Sequence, residues 1–266
     1  MGNLTKHIKR KFLFEKVVTE AELDEFRKIG DNLSLDEMSK IKYVAKEKSI
    51  FVQYGEDKLI QAFPYKNNGF ARFIPEPDPI LLYFNYAYYE YLRFNPLKSK
   101  ILQAATGEIS EDISMFLYQY FGQSSAFIIM LFTSLEAFIN RCIPKNFTYV
   151  KDIQGRKTEM YNKEQLERYI SFDEKTKEVL NQIFDKKKNF ASAHPLPNQH
   201  ITNLKEIRDS IVHIKGNDEG HTAYEKTFKR LLDFKYVETL NAVKDFLNYY
   251  HDSSSYVEEC PCNIPE

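Results

Sequence analysis

An arginine and a histidine with four residues between them, Arg208 and His213, lie near the end of a strongly patterned helical segment. Arginine is a permanent cation whose planar fork matches phosphate oxygens. Histidine can take and return a proton near neutral pH. Together these two side chains could cleave a phosphodiester without a metal ion. Asp209 directly follows the arginine and could hold either group in position.

The same pair also has a purely structural interpretation. The chain contains nine Arg and six His, so this spacing arises by chance often enough that its sequence context must carry the argument. Under this interpretation Arg208 is a solvated or ion-paired helix residue. His213 would then lie near the carbonyls that end its helix, where a cationic imidazole is favourable.

The bulk composition is that of a soluble globular protein. The 266 residues suffice for one large domain or two modest ones, and 43% hydrophobic with 28% charged residues is ordinary. A net charge of -1 gives no overall attraction to nucleic acid, so binding to RNA would need a local basic patch. The predicted RNA-binding residues are the basic cluster Lys186, Lys187 and Lys188, together with Lys215.

The sequence predicts a cytoplasmic protein with neither metal nor cofactor. Three cysteines do not suggest a disulfide framework, although Cys260-Pro-Cys262 could form a metal clip or a redox pair. The N-terminus lacks the apolar core of a signal peptide, and the longest apolar run, 126–132, is too short to span a bilayer. Four histidines have spacings that match no common ligand pattern: His194, His200, His213 and His221.

Residues 1–95 are predicted to form a mixed α+β region of unknown role. Runs rich in β-branched and aromatic residues surround a short loop with Gly55, which predicts a hairpin. Asp78-Pro79 predicts the start of a helix that ends near Asn95, because proline disfavours helix in the residue before it. The expected elements are helices at 21–29 and 34–46, strands at 49–54, 58–63 and 70–74, and the helix from Asp78.

The remainder is predicted to be wholly helical. A connector over 96–108 leads to an antiparallel bundle over 109–251 and a flexible tail over 252–266. Short loops favour antiparallel neighbours. The expected bundle elements are a long helix at 109–142, helices at 162–170 and from Ser171, a loop at 194–197, the helix with Arg208, and one long final helix from Thr222. The predicted fold class is therefore mainly α, with a smaller mixed α/β N-terminal region.

Two segments of this C-terminal half resemble the HEPN domain family. One is Ser134-Leu135-Glu136-Ala137-Phe138 on the long apolar helix, and the other is Ile207-Arg208-Asp209-Ser210-Ile211-Val212-His213. The second resembles the family signature, an arginine followed by a polar residue and, a few positions on, a histidine. Asp209 occupies the polar position, where many members carry Asn. The resemblance covers roughly the last 140 residues, about half the chain.

The resemblance implies a metal-independent endoribonuclease, often a toxin or an antiviral abortive-infection effector, that acts as a homodimer. It implies catalytic roles for Arg208, His213, Asp209 and Glu136, and RNA as the partner, with an antitoxin or other regulatory protein as a further one. Some HEPN domains instead bind nucleotide or a protein partner without catalysis, so a non-catalytic module is the alternative function.

Helix geometry adds a constraint on this site. Residues five apart on an ideal helix are about 140° apart around its axis, so Arg208 and His213 flank opposite sides of the buried stripe. One chain alone would not bring both groups to one phosphate. A two-fold dimer that faces two such helices could complete the site.

Overall fold

The computed structural model describes residues 7–31, 50–68, 70–104, 110–153, 157–213, 221–251 and 256–260. The chain forms two compact units, one of Arg10–Leu82 and one of Met1–Lys9 with Tyr83–Glu266. The described residues are mostly helical, with a small antiparallel sheet near the N-terminus. The predicted class, mainly α with a smaller mixed N-terminal region, is confirmed at this level.

The smaller unit is built on strand β3 (Lys58–Asn67), which pairs antiparallel with β1 (Glu15–Val17), β2 (Ile50–Tyr54) and β4 (Phe70–Pro75). In β3, the buried Ile60 lies opposite both Glu15 and Val52. Gly55 turns the β2–β3 hairpin with φ +68°, a conformation that suits glycine.

The sequence prediction for this unit is largely confirmed. The hairpin and the third strand are present, and helix α1 (Glu20–Asp31) corresponds to the predicted helix at 21–29. The predicted helix at 34–46 lies outside the described residues.

Helix α2 (Pro79–Ala104) begins where predicted, since the Asp78 carboxylate accepts the backbone N–H of Ile80 at 2.9 Å. It does not end at Asn95. It continues through Pro96, so the predicted connector is wrong over 96–104, and the rest of it lies outside the described residues. Phe94 and Ile101 are buried on either side of the proline, and this packing outweighs the loss of one backbone hydrogen bond.

Helix α3 (Glu111–Cys142) carries much of the core of the larger unit. It begins at Ser110, whose side chain accepts the Ile113 N–H at 3.5 Å, and it runs unbroken past Gly122. Its length and apolar composition would also suit a membrane span, although half of that stretch is buried in the protein as in the core helix of a soluble one. Its buried apolar side chains include Phe127, Ile128, Leu131, Phe132, Leu135, Phe138 and Ile139.

A second hairpin, β5 (Tyr149–Ile153) with β6 (Lys157–Tyr161), interrupts the region that we predicted to be wholly helical. That prediction was wrong because Tyr149 of the hairpin is buried in a small separate cluster, a tertiary contact with no periodic signal in the sequence. The cluster consists of Ile143, Tyr149, Leu166, Ile170 and Val179.

Helix α4 (Lys163–Tyr169) follows the hairpin, and Asn162 and Gln165 form its capping box. The helix predicted from Ser171 is present in three consecutive parts: α5 (Phe172–Glu174), a π-helical turn (Lys175–Val179) and α6 (Leu180–Ile183). The π turn, a feature often found at functional sites, begins at the buried Lys175.

Three further predictions need correction. The segment 194–197 is not a loop, because α7 (Phe190–Ala193) is followed directly by α8 (Pro195–Val212), with Pro195 in the first helical position. The predicted long final helix is two helices, α9 (His221–Asp233) and α10 (Tyr236–Tyr249). The break allows the buried Tyr236 hydroxyl to donate to the Leu231 carbonyl at 2.6 Å.

The predicted flexible tail is also partly ordered. Within 256–260, Tyr256 and Val257 are buried, and the Val257 N–H donates to the Asn248 Oδ1 at 2.9 Å. The Cys260 N–H donates to the carbonyl of His7 at 2.9 Å. The remaining tail residues lie outside the described part of the chain.

Candidate functional site

The packing of α8 against α3 brings Arg208 and Glu136 together across 72 positions of sequence. Arg208 Nη2 donates to Glu136 Oε2 at 3.2 Å, and Nη1 donates to Asp209 Oδ1 at 2.8 Å. The guanidinium carbon lies 4.4 Å from the centre of the Phe132 ring. We call Arg208, Asp209 and Glu136 the arginine cluster. Three of the four predicted catalytic residues therefore meet at one point.

Apolar burial on both helices fixes this arrangement. On α8, Leu204 and Ile207 are fully buried just before Arg208. On α3, Phe132 and Leu135 are buried in the turn around Glu136. The guanidinium thus rests on a fixed aromatic face between two helices whose rotation is set by their cores. About a quarter of the Arg208 side chain is exposed, so a ligand can reach it.

The charge balance of the arginine cluster opposes phosphate binding by one chain alone. One guanidinium faces two carboxylates, which gives the cluster a formal charge of -1. Arginine has five N–H donors, and two of them are used here, so donors remain for a ligand. An incoming phosphate therefore finds suitable donors but needs additional positive charge nearby.

His213 lies at the C-terminal end of α8. It is the residue that ends the helix, with φ -117° and ψ 45°, and its backbone N–H donates to the Asp209 carbonyl at 2.9 Å. Its side chain is exposed and forms no hydrogen bond or ion pair with the described residues. A single chain thus leaves the imidazole accessible to a ligand or another copy, without joining it to the arginine cluster.

The predicted RNA-binding lysines are not part of the arginine cluster. Lys186, Lys187 and Lys188 lie in the loop between α6 and α7. The Lys186 ammonium lies 5.1 Å from the centre of the Tyr249 ring, and the Tyr249 hydroxyl donates to the Lys188 carbonyl at 2.7 Å. These contacts connect the loop to α10. Lys215 lies outside the described residues.

A polar cavity that the sequence did not predict adjoins the arginine cluster. It has a volume of about 220 Å³, and we call it the Lys175 cavity. Lys175 is 8% exposed; its ammonium donates to the Glu167 carbonyl at 2.9 Å and to the Asn140 Oδ1 at 3.4 Å. The lining residues are Glu136, Ile139, Asn140, Glu167, Ile170, Phe172 and Lys175.

Burial lowers the pKa of the Lys175 ammonium, while the carboxylates of Glu136 and Glu167 act in the opposite direction. Glu136 therefore influences two cations, Arg208 by direct contact and Lys175 through the cavity. No sequence signal could have identified Lys175, because a lysine in the first turns of a capped helix is normally solvated.

A second open cleft lies on the other side of α8, with a volume of about 580 Å³. We call it the basic cleft, since four cationic residues line it against two carboxylates. Arg230 at its edge donates to Glu206 Oε2 at 3.0 Å and to Ser210 Oγ at 3.3 Å. The lining residues are His200, Asn203, Glu225, Lys226, Lys229, Arg230, Asp233, Phe234, Lys235 and Thr239.

No family model, curated protein or solved structure matches this chain. The function is therefore inferred from the geometry of the arginine cluster and its surroundings, together with the sequence resemblance.

Two weaker sequence hypotheses concern metal and redox chemistry. Within the described ranges, no three His, Cys, Asp or Glu side chains come together in a way that could hold a metal ion. Of the Cys-Pro-Cys segment only Cys260 is described, and it is disulfide-bonded, while Cys142 is half-buried.

Proposed function

We propose that this chain is a metal-independent endoribonuclease of HEPN type, acting as a toxin or an antiviral abortive-infection effector. The observation that carries the proposal is the arginine cluster. The resemblance implies catalytic roles for Arg208, Asp209 and Glu136, which lie in two distant sequence segments, and these three side chains form one hydrogen-bonded group.

The reaction follows from the chemistry of RNA. His213 would remove the proton of a 2′-hydroxyl, or protonate the departing 5′-oxygen, as general base or acid. The 2′-oxygen then attacks the adjacent phosphorus, and the bond from phosphorus to the 5′-oxygen breaks. Arg208 would bind the scissile phosphate and stabilise its pentacoordinate transition state. The products are a 2′,3′-cyclic phosphate and a 5′-hydroxyl end.

Asp209 and Glu136 would act as positioning residues in this scheme. Each accepts one hydrogen bond from a different terminal nitrogen of Arg208, which fixes the plane of the guanidinium above Phe132. A fixed guanidinium loses little conformational freedom when the phosphate binds.

A symmetric homodimer or higher oligomer supplies what one chain lacks. The cluster has a net negative charge, and His213 does not contact it. A partner copy that places its own α8 opposite would bring its His213 to the arginine cluster of the first chain and would supply a second guanidinium with unused N–H donors. A regulatory protein or antitoxin that covers α8 would block both groups at once.

The test uses purified protein and RNA in the presence of EDTA. We expect wild type to cleave RNA but not DNA, and Arg208→Ala or His213→Ala to reduce the rate at least about 100-fold. Mixing the two inactive variants should restore part of the activity, because a mixed dimer retains one arginine and one histidine at the shared cleft. Wild-type protein as inert as both variants would exclude the nuclease.

The basic cleft favours a second candidate, a non-catalytic module that binds a nucleotide. Its surplus of cations and the ring of Phe234 match the phosphates and base of such a ligand. Nucleotide binding that survives His213→Ala, together with inert wild-type protein in the cleavage assay, would support this function instead.

A further inference from the structure

We propose that the Lys175 cavity is a guanine pocket, which binds the base beside the scissile phosphate and makes the enzyme select guanine. The proposal rests on the proposed endoribonuclease function and names the feature of RNA that the same site would recognise. It follows from the position, the charge and the unused hydrogen-bonding capacity of the cavity.

The cavity directly adjoins the phosphate-binding group. Glu136 accepts a hydrogen bond from Arg208 and also lines the cavity. The Phe132 ring below the guanidinium packs on the Phe172 ring at 4.9 Å between centres, and Phe172 lines the cavity as well. A nucleotide whose phosphate contacts Arg208 could therefore place its base here.

The carboxylates at the cavity favour a neutral group rich in N–H donors. Glu136 and Glu167 line the cavity with one ammonium, Lys175, and each carboxylate also pairs with a further cation, Arg208 at 3.2 Å and Lys163 at 3.7 Å. These pairs leave no surplus of positive charge for an anion. A nucleobase is neutral, and one purine is a suitable occupant of a cavity of about 220 Å³.

Several polar groups at the cavity have hydrogen-bonding capacity that the described residues do not use. Lys175 donates two of its three N–H bonds. Asn140 accepts through Oδ1, while its amide N–H groups have no acceptor among the described residues. The Glu167 carboxylate has Lys163 at 3.7 Å as its ion-pair partner. Burying an ammonium is costly unless its donors are satisfied, so a ligand acceptor at Lys175 would be stabilising.

Guanine matches this arrangement best among the four bases. Its N1–H and N2 amino group lie side by side and can both donate to one carboxylate, and Glu167 provides it at the cavity mouth. Its O6 can accept the remaining N–H of Lys175. Adenine and cytosine offer an amino group beside a ring acceptor, and uracil a single N–H. Phe172 supplies an aromatic surface for the base.

Nucleotide binding tests the pocket without depending on cleavage. Titration calorimetry of wild-type protein should show guanosine 3′-monophosphate binding about tenfold more tightly than the adenosine, cytidine and uridine analogues. Inosine 3′-monophosphate, which lacks the N2 amino group, should lose most of this preference. Equal binding of all five, or binding of none, would overturn the proposal.

A matched pair of variants on α4 tests whether Glu167 is responsible for the guanine preference. Glu167→Gln removes the charge and one acceptor from the cavity mouth and should abolish the guanine preference. Glu164→Gln makes the same change on an exposed residue of the same helix that does not line the cavity, and it should keep the preference. A guanine preference that persists in Glu167→Gln would show that Glu167 does not recognise guanine, and the proposed pocket would then be wrong.

Cleavage of oligouridylates that contain one guanosine, adenosine or cytidine gives the second readout. We expect cutting next to guanosine at least about tenfold faster than elsewhere in wild type, and a uniform pattern in Glu167→Gln. Uniform cutting by wild type would overturn the pocket and leave the nuclease intact. Selective binding of guanosine 3′-monophosphate with no cutting would reject the nuclease and support the pocket.

Discussion

Helix α8 has a polar region on each side, and the two regions differ in charge. On one side, Arg208 pairs with two carboxylates and adjoins the Lys175 cavity, which shares Glu136 with it. On the other side, Arg230 pairs with one carboxylate at the edge of the basic cleft. Lys226 and Lys235 in that cleft have no ion-pair partner among the described residues.

This difference suggests that the two sides of α8 could recognise different parts of an RNA. A polynucleotide presents neutral bases with directional hydrogen bonds and a backbone of uniform negative charge. The Lys175 cavity, with its carboxylates, suits the neutral bases, whereas the surplus of cations in the basic cleft suits the backbone. We therefore expect Arg208 to be sensitive to geometry and the basic cleft to be sensitive to charge and salt.

The largest expected difference comes from replacing each arginine with lysine. Arg208→Lys keeps the charge, but a single ammonium cannot donate to both Glu136 and Asp209 while it lies over the Phe132 ring. We therefore expect the cleavage rate to fall about 100-fold. Arg230→Lys keeps the charge of the basic cleft and should change the rate less than about threefold. Initial rates on one RNA, with thermal unfolding as the folding control, measure both.

Equal losses of cleavage rate in Arg208→Lys and Arg230→Lys would contradict the proposal that the two sides of α8 have different roles. A loss in Arg208→Lys that accompanies a lower melting temperature would assign Arg208 a structural role instead.

An intermediate effect is expected from reversing charge in the basic cleft. Lys226→Glu combined with Lys235→Glu should weaken RNA binding about tenfold and reduce the slope of log affinity against log salt by about 2. The guanine preference should remain, because neither residue lines the Lys175 cavity. Fluorescence anisotropy at several salt concentrations provides the measurement.

The control for this pair is Lys145→Glu, a reversal at an exposed lysine that does not line the cleft. A similar change in salt slope there would mean that only net charge matters, and the basic cleft would lose its assigned role.

The smallest effect is expected at Asp209. Asp209→Asn keeps an oxygen that can accept from Arg208 Nη1 but removes one negative charge, so the arginine cluster becomes neutral. RNA should bind about threefold more tightly, as expected for a partly exposed charge. The affinity for RNA is measured with Asp209→Asn in the non-cleaving His213→Ala variant and compared with His213→Ala alone. Weaker binding of RNA would show that the carboxylate charge itself is needed to hold Arg208.

Residue types and spacing in the sequence indicate Arg208 and Asp209 of the arginine cluster, whereas Glu136 is indicated only by the resemblance to the HEPN family. Arg208 and Asp209 adjoin on a helix with a clear buried stripe, and Glu136 lies on a second such helix. The contact between Arg208 and Glu136 depends on how two helices pack across 72 intervening positions, and the periodicity of either helix does not contain that information.

Other elements differ from the sequence prediction for related reasons. Pro96 predicts a helix end at Asn95, yet Phe94 and Ile101 are buried on either side of it. The break between α9 and α10 has no strong breaker residue, and it is stabilised by the buried Tyr236 and its hydrogen bond to Leu231. In each case the burial of side chains contributes more to the stability of the fold than the local preference of the backbone does.

The amino-acid sequence alone determined the periodic faces of the long helices, the cap at Asp78 and the N-terminal hairpin, since these depend on neighbours within a few positions. Only the tertiary structure decided that Glu136 meets Arg208, that Lys175 is buried beside them, and that His213 ends its helix exposed. Those features depend on contacts between residues far apart in the chain, and they arise only when the helices pack and exclude water.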